Sequence, residues 1–245
     1  MGDQTDRLLL EVEFTHRWYR AFLERLRADG YAFRGFTGTP GRGDVVCRHD
    51  VDLSLDAAVT MAEMEADLGV ESTYFVLLTS PLYNAMRSTS REAIRRIEGL
   101  GHDVGLHFST HAYPELDRRP PAASVERRVR AELDVLNSLL EGTPTGVSFH
   151  IPPAWALGAE FEGFTSAYAP AYFSESTYVA DSSQRWRDEP PAVGPGDGPV
   201  QVLTHPGLWA ETDGTFEERV EGAIESACWD ARAATRAEFL DGGSD

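Results

Sequence analysis

The sequence predicts an α/β fold built on a largely parallel sheet, and three observations predict it. Short β-branched and aromatic runs alternate with longer amphipathic stretches, an order that calls for right-handed crossovers between parallel strands. With 245 residues, 42% of them hydrophobic, the chain suffices for one large domain with a buried core, a size that α/β barrels reach in one piece. Carboxylates and histidines gather where the strand-like runs end, and an α/β barrel builds its sites at those ends.

The elements follow in order. Leu8, Leu9, Val12, Trp18, Phe22 and Leu26 recur at helical spacing, which predicts a helix over 5–29 with Thr5 at its N-cap and Gly30 as its stop. After the link GFTGTPGRG comes the strand VVCRHDVD (45–52), then a helix capped by Ser54 and ended at Gly69, then the buried strand STYFVLL. STSREAIRRIEGLG reads as a helix, HDVGLHF as a strand, SVERRVRAELDVLNSLLEG as a long helix and GVSFH as another strand. Beyond Ile151 the chain is rich in Pro, Gly and aromatics, with short candidate strands at AYFSES and PVQVLTH, a surface loop over 187–199 and a last helix over 215–239. Neither a repeat nor a linker interrupts it, so a single domain over 1–245 is expected, its core spanning 44–209.

Charge and composition exclude several partners. The net charge is −18, and all 22 basic residues are arginine. Such a surface repels nucleic acid and anionic membranes. It fits adaptation to high salt, or else a GC-rich genome that favours arginine codons. No apolar run approaches the roughly 18 residues of a membrane span, and the N-terminus carries acids where a secretory signal would be basic. A soluble, cytoplasmic protein is therefore expected, with Cys47 and Cys228 as free thiols.

Two clusters carry the candidate chemistry. On a strand Arg48, Asp50 and Asp52 point one way and His49 and Val51 the other. Carboxylates this close call for a positive partner such as a metal ion. Taken alone, Asp52 and Ser54 are equally the acid and cap of a helix start. In GHDVGLHFSTH, Asp103, Gly105 and His107 share a face, and His111 follows where the chain leaves the strand, with His102 an exposed residue at its entry. Two imidazoles and one carboxylate leave an open coordination position, the pattern of a catalytic rather than a structural zinc site. Taken alone, the histidines could equally be unrelated polar residues. Three later segments end with further candidates: SFHIPPAW, DSSQRW and VLTHPGLW.

These five segments, in this order, resemble the motifs of the polysaccharide deacetylase (NodB-type) family, in the subgroup whose first motif reads HDVD; the likeness runs from about Val45 to Trp209. The resemblance implies a deformed (β/α) barrel of about seven parallel strands, and the divalent-metal-dependent hydrolytic removal of an N- or O-linked acyl group, usually acetyl, from a saccharide. It implies Asp50 as general base, Asp52, His107 and His111 as metal ligands, and His205 as general acid with Asp181 beside it. Zinc is the first choice, with iron, cobalt and manganese accepting the same ligands. In the third motif His150 or Ile151 stands where the family carries an arginine, Pro152 is kept, and Arg48 is the candidate to replace that arginine. Trp186 matches a tryptophan flanking the acyl pocket, while Val202 stands for a leucine, next to Leu203. Trp155, Tyr172, Trp186 and Trp209 could stack on a sugar, although rings this large are more often core. Hydrolysis of another C–N bond on the same fold, and a carbohydrate-binding protein that has lost catalysis, are the alternatives.

Overall fold

The structure, a computed structural model, describes residues 11–116, 118–144 and 146–241. Seven strands, β1 (Ala32–Arg34), β2 (Asp44–Val51), β3 (Thr73–Leu77), β4 (Asp103–Ser109), β5 (Val147–His150), β6 (Thr177–Ala180) and β7 (Val200–Thr204), form one sheet. Every pair is parallel, in the order β5-β4-β3-β2-β7-β6, with β1 against the first residues of β2. No pairing joins β5 to β6 among the described residues, so the sheet is a deformed, half-open (β/α) barrel. The helices are α1 (His16–Ala28), α2 (Leu55–Leu68), α3 (Ser88–Gly99), α4 (Ala122–Asn137) and α5 (Phe216–Phe239). None is long and apolar enough to cross a membrane.

Alternation gives the sheet two faces with different contents. Its outer face packs Cys47, Val51, Tyr74, Val76, Leu106, Phe108, Val147 and Val202 beneath the helices in two apolar clusters. The inner face holds a small cluster of Phe36, Val46, Phe75, Ala167 and Tyr172. Beyond it stand the polar residues Arg48, Asp50, His107, Ser148 and His150. Gly105 makes room for this interior: a Cβ there would lie 2.6 Å from the Phe75 ring and 2.8 Å from the Gly146 carbonyl oxygen.

Several elements depart from the sequence reading. α1 starts at His16, capped by Thr15, whose Oγ1 accepts from the Trp18 amide at 3.1 Å. The expected cap Thr5, with Leu8 and Leu9, lies outside the described residues, and Val12 is buried ahead of the helix. AYFSES does not form a strand, because Ala169 and Pro170 carbonyls take the amides of Tyr172, Phe173 and Glu175 in turns; β6 is the four residues that follow. α2 keeps its Ser54 cap and ends on Gly69 in the left-handed conformation, φ 64°. α5 opens with a reciprocal capping box between Thr215 and Glu218. Cys47 is a buried and Cys228 an exposed free thiol.

His102 is buried rather than exposed, its Nε2 2.8 Å from the Ala62 carbonyl oxygen. It borders a polar network behind β2 centred on the fully buried Glu65 of α2. Tyr19 and Tyr74 hydroxyls each donate to that carboxylate at 2.7 Å, and His49 Nε2 lies 2.9 Å away. The other ring nitrogen of His49 meets Thr204 Oγ1 at 2.7 Å. Burial works against the Glu65 charge, but His49 first, then His102 and Tyr19, hold its pKa down from 4.5 to about 2. A folded pKa below the unfolded one stabilises fully above the unfolded value and is lost as pH falls through the folded one. Acid unfolding followed by circular dichroism is therefore expected to lose about 3 kcal/mol to this group as pH falls from 4.5 to 2. Glu65→Gln should lack that segment of the curve; an unchanged acid limb would refute the assignment.

Candidate active site

The C-terminal ends of β2, β4, β5 and β7 converge on one mouth of the half-barrel. Asp52 follows β2 in a tight turn, its amide 3.1 Å from the Asp50 carbonyl oxygen. Its Oδ1 lies 3.0 Å from His107 Nε2 and 3.1 Å from His150 Nδ1, and those nitrogens are 3.2 Å apart. Donor atoms bound at 2.0–2.1 Å in a tetrahedron are separated by about 3.3 Å, so this triangle has the dimensions of three ligands around one ion. Asp52 Oδ1 is buried yet accepts no hydrogen bond from the described residues. A convergent, unsatisfied donor set of two imidazoles and a carboxylate therefore fits a divalent metal. Burial works to raise the Asp52 carboxyl, but His107, then His150 and His205, hold it well below the usual carboxylate range.

His111 is not part of this group. β4 ends at Ser109 and turns into a single 3-10 turn, Thr110–Ala112, which carries His111 to the exposed surface. β5 pairs with β4 so that Ser148 lies beside His107. Two residues on and on the same face, His150 brings its Nδ1 to the cluster and completes the set of three potential ligands with Asp52 and His107. Its pKa is raised: burial opposes its charge, but the Asp52 carboxylate outweighs that. The next residue, Ile151, sits at φ 46° with its side chain in solvent, a costly conformation for a β-branched residue and one met at functional sites.

Asp50 is buried two residues before Asp52 in a different environment. Arg48 grips it with two hydrogen bonds, Nε to Oδ1 at 2.9 Å and Nη2 to Oδ2 at 2.7 Å, and the Ser148 hydroxyl donates to Oδ2 at 3.0 Å. Burial raises the Asp50 carboxyl, but Arg48 and then His107 leave it below the usual carboxylate range. Arg48, itself fully buried, also donates to Ser148 Oγ at 2.5 Å, Tyr168 OH at 2.8 Å and Gln201 Oε1 at 3.3 Å. The arginine beside the aspartate thus comes from the same strand.

On the far side stands His205, just past β7. Its Nδ1 is 2.6 Å from Asp181 Oδ1, and its Nε2 lies 3.8 Å from Asp52 Oδ2. Asp181 is buried and accepts two more bonds at Oδ2, from the His205 amide at 3.0 Å and Trp209 Nε1 at 2.8 Å. This fixes the ring so that Nε2 faces the cluster, as a carboxylate orients the histidine of a catalytic triad. Burial works to lower the His205 pKa, but Asp181 first, then Asp52 and Asp50, push it up to about 9.

Other expected substrate contacts are placed elsewhere. Trp186 is buried against Trp18, Phe22 and Trp209 under α1. Val202 belongs to that same outer cluster. Tyr172 is inner core, its hydroxyl donating to the Gly38 carbonyl at 2.5 Å. Leu203 is buried on the inner face beside Arg48. Pro152 and Trp155 are half-buried after β5, and Trp155 packs on Phe149. Ser148, Tyr168 and Gln201, which the sequence reading missed, surround Arg48; a polar residue at an inward position of GVSFH was the available signal for Ser148.

No family model and no curated protein matches this chain. Solved structures do. A family 4 carbohydrate esterase from Bacillus anthracis is 14% identical, with 84% of each chain covered and a TM-score of 0.42. A family 4 acetyl xylan esterase from Clostridium thermocellum, in complex with cobalt, is 17% identical, with 74% of this chain and 83% of that one covered and a TM-score of 0.40. A CE4 family pseudoenzyme from Bacillus anthracis is 12% identical, with 82% and 65% covered and a TM-score of 0.42.

The geometry makes two predictions. His150→Ala is expected to lose zinc binding measured by titration calorimetry, whereas His111→Ala retains it; the reverse pattern would restore His111 as the ligand. Arg48→Ala leaves Asp50 buried without its counter-charge and is expected to cost about 3–5 kcal/mol in urea unfolding. An unchanged midpoint would show that the pair contributes nothing to stability.

Proposed function

We propose that this protein is a metal-dependent deacylase of saccharides, of the NodB polysaccharide deacetylase type, removing an N- or O-linked acyl group, acetyl first. One observation carries the reading: a three-ligand cluster lies between a buried aspartate held by arginine and a histidine held by aspartate. Acyl hydrolysis needs that set, since one group must take a proton from water and another must give one to the leaving group.

Asp52, His107 and His150 would hold the ion, zinc first, with cobalt, iron and manganese also suited to imidazole and carboxylate. Bound there, it supplies Lewis acidity to the acyl carbonyl and acidifies water. Asp50 takes the proton from the attacking water; its pairing with Arg48 keeps it ionised and oriented for that role. His205, protonated because three carboxylates surround it, delivers a proton from Nε2 to the departing amine or alkoxide. Asp181 holds Nδ1 and so keeps Nε2 aimed at the reacting atoms. Arg48, the candidate to replace the family's arginine, serves Asp50 in this reading, since the hydrogen bonds of its guanidinium are with buried protein groups. The saccharide lies outside these groups at the mouth of the half-barrel, where the half-buried Pro152 and Trp155 are the candidates to meet it.

The test is a panel of acylated sugars and oligosaccharides incubated with metal-loaded protein, released acid being read by mass. Wild-type protein should release acid, and Asp50→Asn, assayed at saturating metal, should lose about 10²–10⁴-fold in turnover. An Asp50→Asn protein as active as wild type would remove Asp50 as base. Sugar binding without acid release from any substrate would make the chain a carbohydrate-binding protein instead.

A further inference from the structure

The Ser148 side chain touches both the ligand cluster and the Arg48–Asp50 pair. It is fully buried on the inner face of β5. Its hydroxyl lies 3.0 Å from Asp50 Oδ2, 2.5 Å from Arg48 Nη2 and 3.0 Å from His107 Nδ1. A serine hydroxyl has one hydrogen and two lone pairs to place among these three partners. Arg48 can only donate, and a carboxylate paired with arginine accepts. The hydroxyl hydrogen therefore goes to Asp50, leaving one lone pair for Arg48 and one for an N–H at His107 Nδ1. The Ser148 carbonyl oxygen, 3.2 Å from the same Nδ1, can also only accept. Both acceptors favour the proton on Nδ1, so that with an ion bound between His107, Asp52 and His150 the Nε2 lone pair is free to face it.

The geometry points to Ser148 as the positioning residue that couples the ligand His107 to the base Asp50, an inference that rests on the metal and base roles proposed above. Ligating histidines commonly donate their second N–H directly to a carboxylate, which orients the ring and strengthens it as a donor. Here Asp50 lies 3.8 Å from Nδ1, beyond a hydrogen bond. The serine hydroxyl spans that gap. Asp50 polarises the hydroxyl, the hydroxyl holds the imidazole, and the base becomes part of the metal site without being a ligand. The carbonyl can preserve the tautomer when the hydroxyl is removed, but it has no link to Asp50.

The experiment reads zinc affinity by competition with a chromophoric chelator, at fixed pH and independently of turnover. Ser148→Ala, and Ser148→Cys as a space-filling variant with a poor hydrogen-bonding group, are expected to bind zinc about 10–100-fold more weakly than wild type. Asp50→Asn should also weaken zinc, and in the Ser148→Ala background that effect should shrink by about threefold or more. Wild-type affinity in both Ser148 variants, or an Asp50→Asn effect of equal size in the two backgrounds, overturns the coupling. His107→Ala separates the two readings. If it binds zinc as wild type does, the metal assignment fails and the coupling with it. If it abolishes binding while the Ser148 variants are unaltered, only the coupling fails.

Discussion

The Arg48–Asp50 pair is the constraint on which the interior of the half-barrel depends. A guanidinium with no exposed surface must be paired and have its other protons satisfied, or the desolvation cost exceeds what the fold can bear. Asp50 takes the Nε proton and one from Nη2, Ser148 and Tyr168 share the other Nη2 proton, and Gln201 takes one from Nη1. The Tyr168 ring also lies under the guanidinium, 4.4 Å from its carbon. Those demands set the inner lining. β2 contributes both charges, β5 and β7 one polar group each, and the segment after β5 a tyrosine, where a barrel this narrow would otherwise be filled by aliphatic side chains.

The same strand is fixed from behind. His49, between Arg48 and Asp50, points outward into the Glu65 network and is tied to Thr204, the residue before His205. Three consecutive β2 side chains are thus held by partners on both faces of the sheet. β2, which carries Asp50, and β7, which ends just before His205, are joined by one imidazole as well as by their backbone ladder. Sites held on strands with locked rotamers keep their geometry better than sites on loops. The buried Glu65 and His49 behind the sheet are part of that locking.

The sequence makes the periodic part of this arrangement legible and hides the convergent part. Alternation in VVCRHDVD assigns Arg48, Asp50 and Asp52 to one face and His49 to the other, and the amphipathic stretches after α1 give the later helices near their observed bounds. His111 misleads because a four-residue spacing brings histidines together only while the chain keeps one regular conformation, and here it leaves the strand at Ser109. His150 is selected by the register of β5 against β4, an inter-strand property that no local pattern carries. Trp186 resembles a pocket residue by its place after a strand, but the packing of α1 against that segment makes it core. Ser148 and Glu65 are polar residues inside apolar periodicity, and their meaning depends on partners far along the chain.

Asp50 and Asp52 show how one residue type is divided between two roles. They lie two residues apart and point the same way, so neither sequence position nor face distinguishes them. Their hydrogen-bond supply does. Asp50 receives two bonds from Arg48 and one from Ser148, which spreads its charge over fixed donors and leaves little free electron density for an ion. Asp52 has an Oδ1 with no donor other than the two imidazole nitrogens within 3.1 Å, an arrangement suited to sharing a cation. Groups whose environments differ in this way can hold different protonation and ligation states at one pH, as paired carboxylates do in acid–base catalysis. The donors around each carboxylate, rather than the carboxylates themselves, separate a base from a ligand.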